Sequence, residues 1–174
     1  ATPVTPATLA SDYPLSNKEE SRAESTLWRA VSMAKSWKFT FRVISDVSSS
    51  GKRGAGFSFG VQSQGKTALG GYWNKYGTFG ISEFTGFAVD TWGNVGLRYQ
   101  KAGQAISGSE SRLQSLFSTV FSNNTALDVT LAWYKTANSQ SGNLVITMNG
   151  HSYYIPMSYT NATYYAGVGA ATGT

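Results

Sequence analysis

The residues best equipped for chemistry lie between positions 51 and 98. Gly70, Gly71, Tyr72, Trp73 and Asn74, then Tyr76, fall in a stretch too rich in glycine and polar side chains to read as core. Asp90, Trp92, Asn94 and Arg98 follow downstream. A sugar offers apolar C–H faces and many hydroxyls, so a site for one combines aromatic platforms with fixed donors and acceptors. Tyr72, Trp73, Asn74 and Tyr76 supply that combination, with Trp92, Asn94 and Arg98 as candidate neighbours. Packing offers Tyr72 and Trp73 a second use, as a plug for one end of the fold. Asp90 closes an apolar run, where a carboxylate either caps backbone N–H groups or touches a ligand.

Catalytic constellations are thin. Glycoside hydrolysis needs two carboxyl groups about 5–5.5 Å or about 6.5–9.5 Å apart. Glu83 and Asp90 are the nearest pair in this stretch, and they have opposite strand parity. The single histidine, His151, stands beside a turn signal with no acidic neighbour to orient it as a base. No catalytic residue is assigned, and the expectation is a binding protein without enzymatic activity.

Composition narrows the class further. The chain has 174 residues, 41% of them hydrophobic, enough for one domain with a real core. Charged residues are only 13%, about half of the ~25% usual in soluble domains. Ser, Thr, Asn, Gln and Gly supply the polarity instead, a surface common in extracellular β proteins. The net charge is +5, yet only Lys52 and Arg53 are adjacent, and no recognition helix or RNA-binding signature appears. Nucleic acid is therefore not an expected partner. With no cysteine, disulfides, thiol chemistry and cysteine-ligated zinc are excluded. No apolar run reaches the ~18 residues of a membrane span, so no membrane insertion is expected.

The elements that must position these residues read as strands. Three of the four prolines lie in residues 1–17, which suit an extended arm or linker. Residues 18–36 allow two readings. Ser25 can cap a helix bearing Leu27, Ala30, Val31 and Ala34 on one face, or 27–33 can form a strand ending in a turn at 34–36, the reading preferred here. In 37–47, Phe39, Phe41 and Val43 alternate with Lys38, Thr40 and Arg42, the period of a strand with one buried face. Residues 56–61 alternate again, and their glycines mark close backbone approach or a bulge.

Further strands are expected at 86–91, 94–100, 127–135, 143–148, 152–157 and 164–170, with a turn at 139–142. Asn149-Gly150 is the strongest short hairpin signal in the chain. Residues 109–122 break the pattern: Leu113, Leu116, Phe117, Val120 and Phe121 form a helical stripe behind the N-cap candidate Ser109. Paired tyrosines at 153–154 and 164–165 put one ring of each pair on either sheet face, so one ring is exposed or covered by another element. An exposed set would make a second, flat binding surface. Asn123 and Asn161 each begin an N-glycosylation sequon. About nine or ten short strands and one helix predict a β-sandwich.

Several runs together resemble the L-type (legume-like) lectin domain in its bacterial surface-adhesin form. They are STLWRAVSMAKSWKFTFRV at 25–43, GAGFSFGVQ at 54–62, ALGG at 68–71 and GFAVDTW at 86–92. LDVTLAWYK, NLVITMNGHSYYI and YYAGVGAATGT match that family's closing segments, and the whole covers most of 25–174. The resemblance implies an all-β, concanavalin- or galectin-like antiparallel jelly-roll sandwich, spanning 18–174 as a single domain. It also implies that the backbone N–H of the Gly70-Gly71 loop meets the sugar and that Asp90 matches the family's calcium aspartate. Two family features are missing. The aspartate that accepts sugar hydroxyls is replaced by Ala55, and the calcium loop after Asp90 is shortened to Gly93-Asn94. One carboxylate and one Asn fall short of the six to eight oxygens that calcium takes, so no metal or other cofactor is expected.

The resulting expectation is a glycan-binding module of a larger surface protein, extracellular on a cell or virion. Its partner would be the glycan of a host glycoprotein or glycolipid. The alternatives are the glycan-binding head of a viral attachment spike and a structural or protein-binding sandwich that has lost sugar recognition.

Overall fold

The structure is a computed structural model that describes residues 24–45, 56–71, 77–90, 96–101, 104–105, 125–148 and 150–171. Its strands are β1 (Glu24–Val31), β2 (Trp37–Ser45), β3 (Gly56–Gln62), β4 (Thr85–Asp90), β5 (Gly96–Lys101), β6 (Gln104–Ala105), β7 (Thr125–Lys135), β8 (Ser141–Met148), β9 (His151–Ser158) and β10 (Tyr164–Ala171). They form two antiparallel sheets, one of six strands ordered β1-β10-β3-β4-β5-β6 and one of four ordered β2-β7-β8-β9. Among the described residues no helix is long and apolar enough to cross a membrane. The helix expected at 109–122, the arm at 1–17 and the sequon at Asn123 lie outside the described residues.

Alternation puts a core between the sheets. Leu27, Phe59, Phe87 and Val168 face inward from the six-stranded sheet, and Val129, Leu131, Trp133, Leu144 and Ile146 from the other. On β2, Phe39 and Phe41 pack partly buried against this core and Val43 is buried, while Lys38, Thr40 and Arg42 are exposed. Trp133 is wholly buried, and its indole N–H donates to the Met33 carbonyl at 2.9 Å. The β8–β9 hairpin closes with Met148 opposite His151, and Gly150 takes φ 77° in the two-residue turn, as Asn-Gly predicts.

Three readings are settled or moved. Residues 24–31 are strand, not helix, because β1 pairs along its whole length with β10, from Glu24 opposite Ala171 to Val31 opposite Tyr164. The β7–β8 turn spans 136–140, earlier than 139–142, with Asn138 at φ 56° and the Thr136 N–H donating to the Ser141 carbonyl. The glycines of β3 mark close approach; its pairing with β4 and β10 runs without a bulge.

A row of glycines crosses the outer face of the six-stranded sheet. Gly167 of β10 lies opposite Gly60 of β3, which lies opposite Gly86 of β4. Side chains there would collide with aromatic rings: a Cβ on Gly60 would sit 2.7 Å from the Phe84 ring, and one on Gly167 2.8 Å from the Trp28 ring. The missing side chains make a trough, and two aromatic rings fill it. Over this trough a second core forms from Trp28, Ala68, Phe79, Ile81, Phe84 and Ala88. The described parts of the segment joining β3 to β4, residues 63–71 and 77–84, thus form a packed layer held by the outer face of the sheet.

Candidate functional site

The β3–β4 connection carries the candidate loop, and its base is held at several points. The Gln62 side chain is fully buried and closes the first turn. Its Nε2 donates to the Gly65 carbonyl at 2.6 Å, and its Oε1 accepts from the N–H groups of Gln64 and Gly65. The Ala68 carbonyl accepts from both Trp28 Nε1, at 2.8 Å, and Thr26 Oγ1, at 3.0 Å. Thr78 Oγ1 donates to Ser58 Oγ at 2.6 Å, with both side chains fully buried. A Thr78→Val substitution keeps the shape and removes this bond. A net loss of about 1–3 kcal/mol is expected from the weakened buried pairing, read as a lower denaturant midpoint. An unchanged midpoint would show that the bond does not anchor the loop.

The two sides of the loop then meet in a narrow neck. Gly70 N–H donates to the Gly77 carbonyl at 2.7 Å, Gly77 N–H to the Gly71 carbonyl at 2.9 Å, and Gly71 N–H to the Phe79 carbonyl at 3.1 Å. A Cβ on Gly70 would fall 2.6 Å from the Phe79 carbonyl oxygen, which explains glycine there. Each N–H carries one proton, and both the Gly70 and the Gly71 protons are donated within the chain. This differs from the expectation that they meet a sugar. Their contribution is the closed neck, which brings the two ends of residues 72–76 together. Tyr72, Trp73, Asn74 and Tyr76 themselves lie outside the described residues.

The neck stands at the same end of the six-stranded sheet as Asp90. A Cβ on Gly77, whose φ is 78°, would lie 2.7 Å from the Ala170 carbonyl oxygen and 2.9 Å from that of Ser25. Ala170 is opposite Phe57, and its neighbour Ala171 is opposite Gly56. Gly56 in turn is opposite Asp90, which is opposite Gly96. Since β4 is two strands from β10, about 10 Å separates the neck from the Asp90 backbone across the sheet. Arg98 takes its register position opposite Ala88. The Asp90 backbone thus lies at the same sheet end as Gly70 and Gly71, while Arg98 lies farther off, one strand beyond Asp90 and two residues back from that end. Trp92, Asn94 and the side chains of Asp90 and Arg98 lie outside the described residues.

Among the described residues, neither a calcium donor set nor a close carboxylate pair gathers at this corner. The register neighbours of Asp90 are glycines, and residues 91–95 add Asn94 but no carboxylate. Among the described residues no three His, Cys, Asp or Glu side chains gather. Such a donor set does not meet calcium's demand for oxygens. Glu83 is exposed before the start of β4, and Asp90 is at its end. The strand alone spans about 16 Å at ~3.3 Å per residue, beyond the carboxyl spacing of glycoside hydrolysis.

The tyrosine pairs divide as alternation requires. Tyr153 and Tyr164 are buried; Tyr165 is half-buried and packs on the second core. Tyr154 is exposed on the opposite sheet, together with Tyr134. Tyr165 is thus covered by the β3–β4 layer, and the open tyrosine face belongs to the four-stranded sheet. On that sheet Arg42 donates to Asp128 at 3.0 and 3.4 Å. The hydrogen bond from Arg42 holds the Asp128 carboxyl below its usual range, and the same bond raises Arg42. Such a pair favours the fold above the carboxyl's unfolded pKa and loses that effect as pH falls through the folded value. Both side chains are mostly exposed, so water and salt screen the pair and its contribution to stability is small.

Two sheets, a core between them and a loop layer over the larger one define a legume-lectin-type, concanavalin-like sandwich. Comparison with solved structures places the same fold in peanut lectin with a 9mer peptide, at TM-score 0.52 and 11% identity over 92% of this chain and 77% of that one. Lectin UEA-II complexed with galactose gives TM-score 0.50 and 14% identity over 92% and 78%. No protein-family model and no curated protein sequence matches the chain.

Proposed function

We propose that the chain is a carbohydrate-binding module that recognises its ligand at residues 72–76. Tyr72, Trp73, Asn74 and Tyr76 carry the recognition, and Asp90, Trp92, Asn94 and Arg98 flank it. The supporting observation is the neck at Gly70, Gly71 and Gly77, anchored to a buried second core. A loop whose ends are fixed loses less conformational entropy when it binds, which favours aromatic platforms of low intrinsic affinity. A sandwich of this fold holds galactose in lectin UEA-II, in keeping with the same ligand class. Without the acidic acceptor at Ala55 and without calcium, binding here rests on rings, amides and the neighbouring strand ends.

In its cellular setting the module belongs to a larger surface protein, extracellular on a cell or virion. There it attaches that protein to the glycans of host glycoproteins or glycolipids. A second reading is a sandwich that binds protein or serves a structural role. It is favoured by the internal use of the Gly70 and Gly71 amide protons, which removes two donors from any sugar.

A glycan array separates the two. Specific binding is expected, with Trp73→Ala or Tyr72→Ala weakening it about tenfold or more through loss of the platform. Chelation should leave binding unchanged. Absence of any array hit, combined with retention of a protein partner on pull-down, would replace the first reading with the second.

A further inference from the structure

We propose that the outer face of the four-stranded sheet is a second saccharide-binding surface, taking an extended, neutral glycan chain across Tyr134 and Tyr154. Among the described residues these are the two exposed large hydrophobic side chains, 56% and 61% accessible. The register sets them on neighbouring rows. Tyr134 is opposite Asn143, which is opposite Pro156, while Ala132 is opposite Val145, which is opposite Tyr154. Two strands sideways and one row along place the ring-bearing positions about 12 Å apart. That leaves room for a chain to run diagonally from one ring to the other over Val145.

The rings and their surroundings suit a sugar. The Tyr154 ring lies nearly parallel to that of buried Tyr153, at 27° and 6.2 Å. Tyr153 in turn meets Phe87 of the core edge-on. Tyr154 is thereby oriented by the core before any ligand arrives. A hydroxyl row lies next to that of Tyr154, on the side away from Tyr134: Thr40, Thr130, Thr147 and Ser152 are directly opposite one another across all four strands. Thr147 and Ser152 share a 2.6 Å hydrogen bond, which holds the two hydroxyl oxygens together. Aromatic faces for C–H groups beside aligned hydroxyls for ring oxygens and hydroxyls are the demands of a saccharide.

Charge selects the kind. Arg42 and Asp128 neutralise each other, which leaves Lys38 as the unbalanced charge among the described residues of these rows. A polyanion would need more cations than this, whereas a neutral chain needs none. The face is also separate from residues 72–76, whose neck packs on the outer side of the six-stranded sheet. Two sites on opposite sides of one sandwich would let the module bridge chains or gain avidity.

The test is affinity electrophoresis of the whole chain through gels cast with mannan, galactan or mixed-linkage β-glucan, with heparin as the anionic control. At least one neutral polysaccharide should retard the wild type. The Tyr134→Ala/Tyr154→Ala variant should bind it about tenfold or more weakly, at an unchanged melting temperature because both side chains are exposed. The corresponding double phenylalanine variant should keep most of the retardation. Trp73→Ala should leave this retardation in place. Loss with Trp73→Ala but not with the double alanine variant leaves the loop proposal standing and overturns this one. Free passage through every neutral gel, or preference for heparin, also overturns it. So does sedimentation showing a dimer that only the double alanine variant dissolves, since the face would then be a self-association surface.

Discussion

Trp28→Ala is expected to remove about 3–5 kcal/mol of stability, the range for a large buried aromatic cut to a methyl group. Trp28 is 1% exposed, fills the trough over Gly167 and meets Phe84 edge-on at 6.4 Å. Its indole N–H also donates to the Ala68 carbonyl, tying β1 to the layer that carries the candidate loop. A domain of this size is typically stable by about 5–15 kcal/mol, so the loss is a large share of the total. The damage should be uneven. Amide exchange in the β3–β4 connection should rise more than in β7 and β8, which pack into the main core through Leu131, Trp133, Leu144 and Ile146. If residues 72–76 bind a glycan as proposed, that binding should weaken with it, because the layer that carries the neck loosens. Trp28→Phe separates ring from hydrogen bond: most of the ring stays, and about 1 kcal/mol should be lost with the donor. Denaturant melts resolve both steps. A cost for Trp28→Ala below about 1 kcal/mol would mean that the second core does not support the fold.

Gly60→Val should cost about 1–3 kcal/mol or more through overpacking. A Cβ at this position would lie 2.7 Å from both the Phe84 ring and the Gly86 Cα, and against the Thr85 carbonyl oxygen. Ring displacement could relieve the first contact. The backbone contacts cannot be relieved without parting β3 from β4. Shortening the ring in a Gly60→Val/Phe84→Ala double variant should therefore recover only part of the loss, after the cavity cost of Phe84→Ala is taken into account in a double-mutant cycle. Full recovery would show that only the ring, and not strand spacing, requires glycine at this position.

These two sites show how far local patterns reach. The alternation of β2 was legible because one of its faces meets water. The β8–β9 hairpin was legible because Asn-Gly specifies its turn without help from the rest of the chain. β1 was ambiguous for a physical reason. Leu27 faces the main core and Trp28 the second one, so both faces are buried and polar alternation disappears. What decides it is pairing with β10, some 140 residues later in the chain. The second core was missed altogether. Phe79, Ile81 and Phe84 lie among glycines and polar residues, and the segment reads as an open loop. The available signal was the set of facing strand glycines, which announces that rings must lie on the sheet.

The site divides in the same way. Tyr72, Trp73, Asn74 and Tyr76 are candidates by side-chain type, chemistry that the sequence displays directly. The donor role implied for Gly70 and Gly71 did not carry through, because a neck of three short backbone bonds uses their protons.

By itself, then, the sequence determined an all-β sandwich, the side chains proposed for recognition and the lack of carboxylates in the stretch that directly follows Asp90. Each follows from nearest-neighbour alternation or from side-chain chemistry. Only the tertiary structure decided that the loop rests on a second core, that its neck lies at the same sheet end as the Asp90 backbone and that Tyr134 and Tyr154 share an open face. Those facts depend on strand register between distant segments, where a shift of one residue would turn every side chain to the other face.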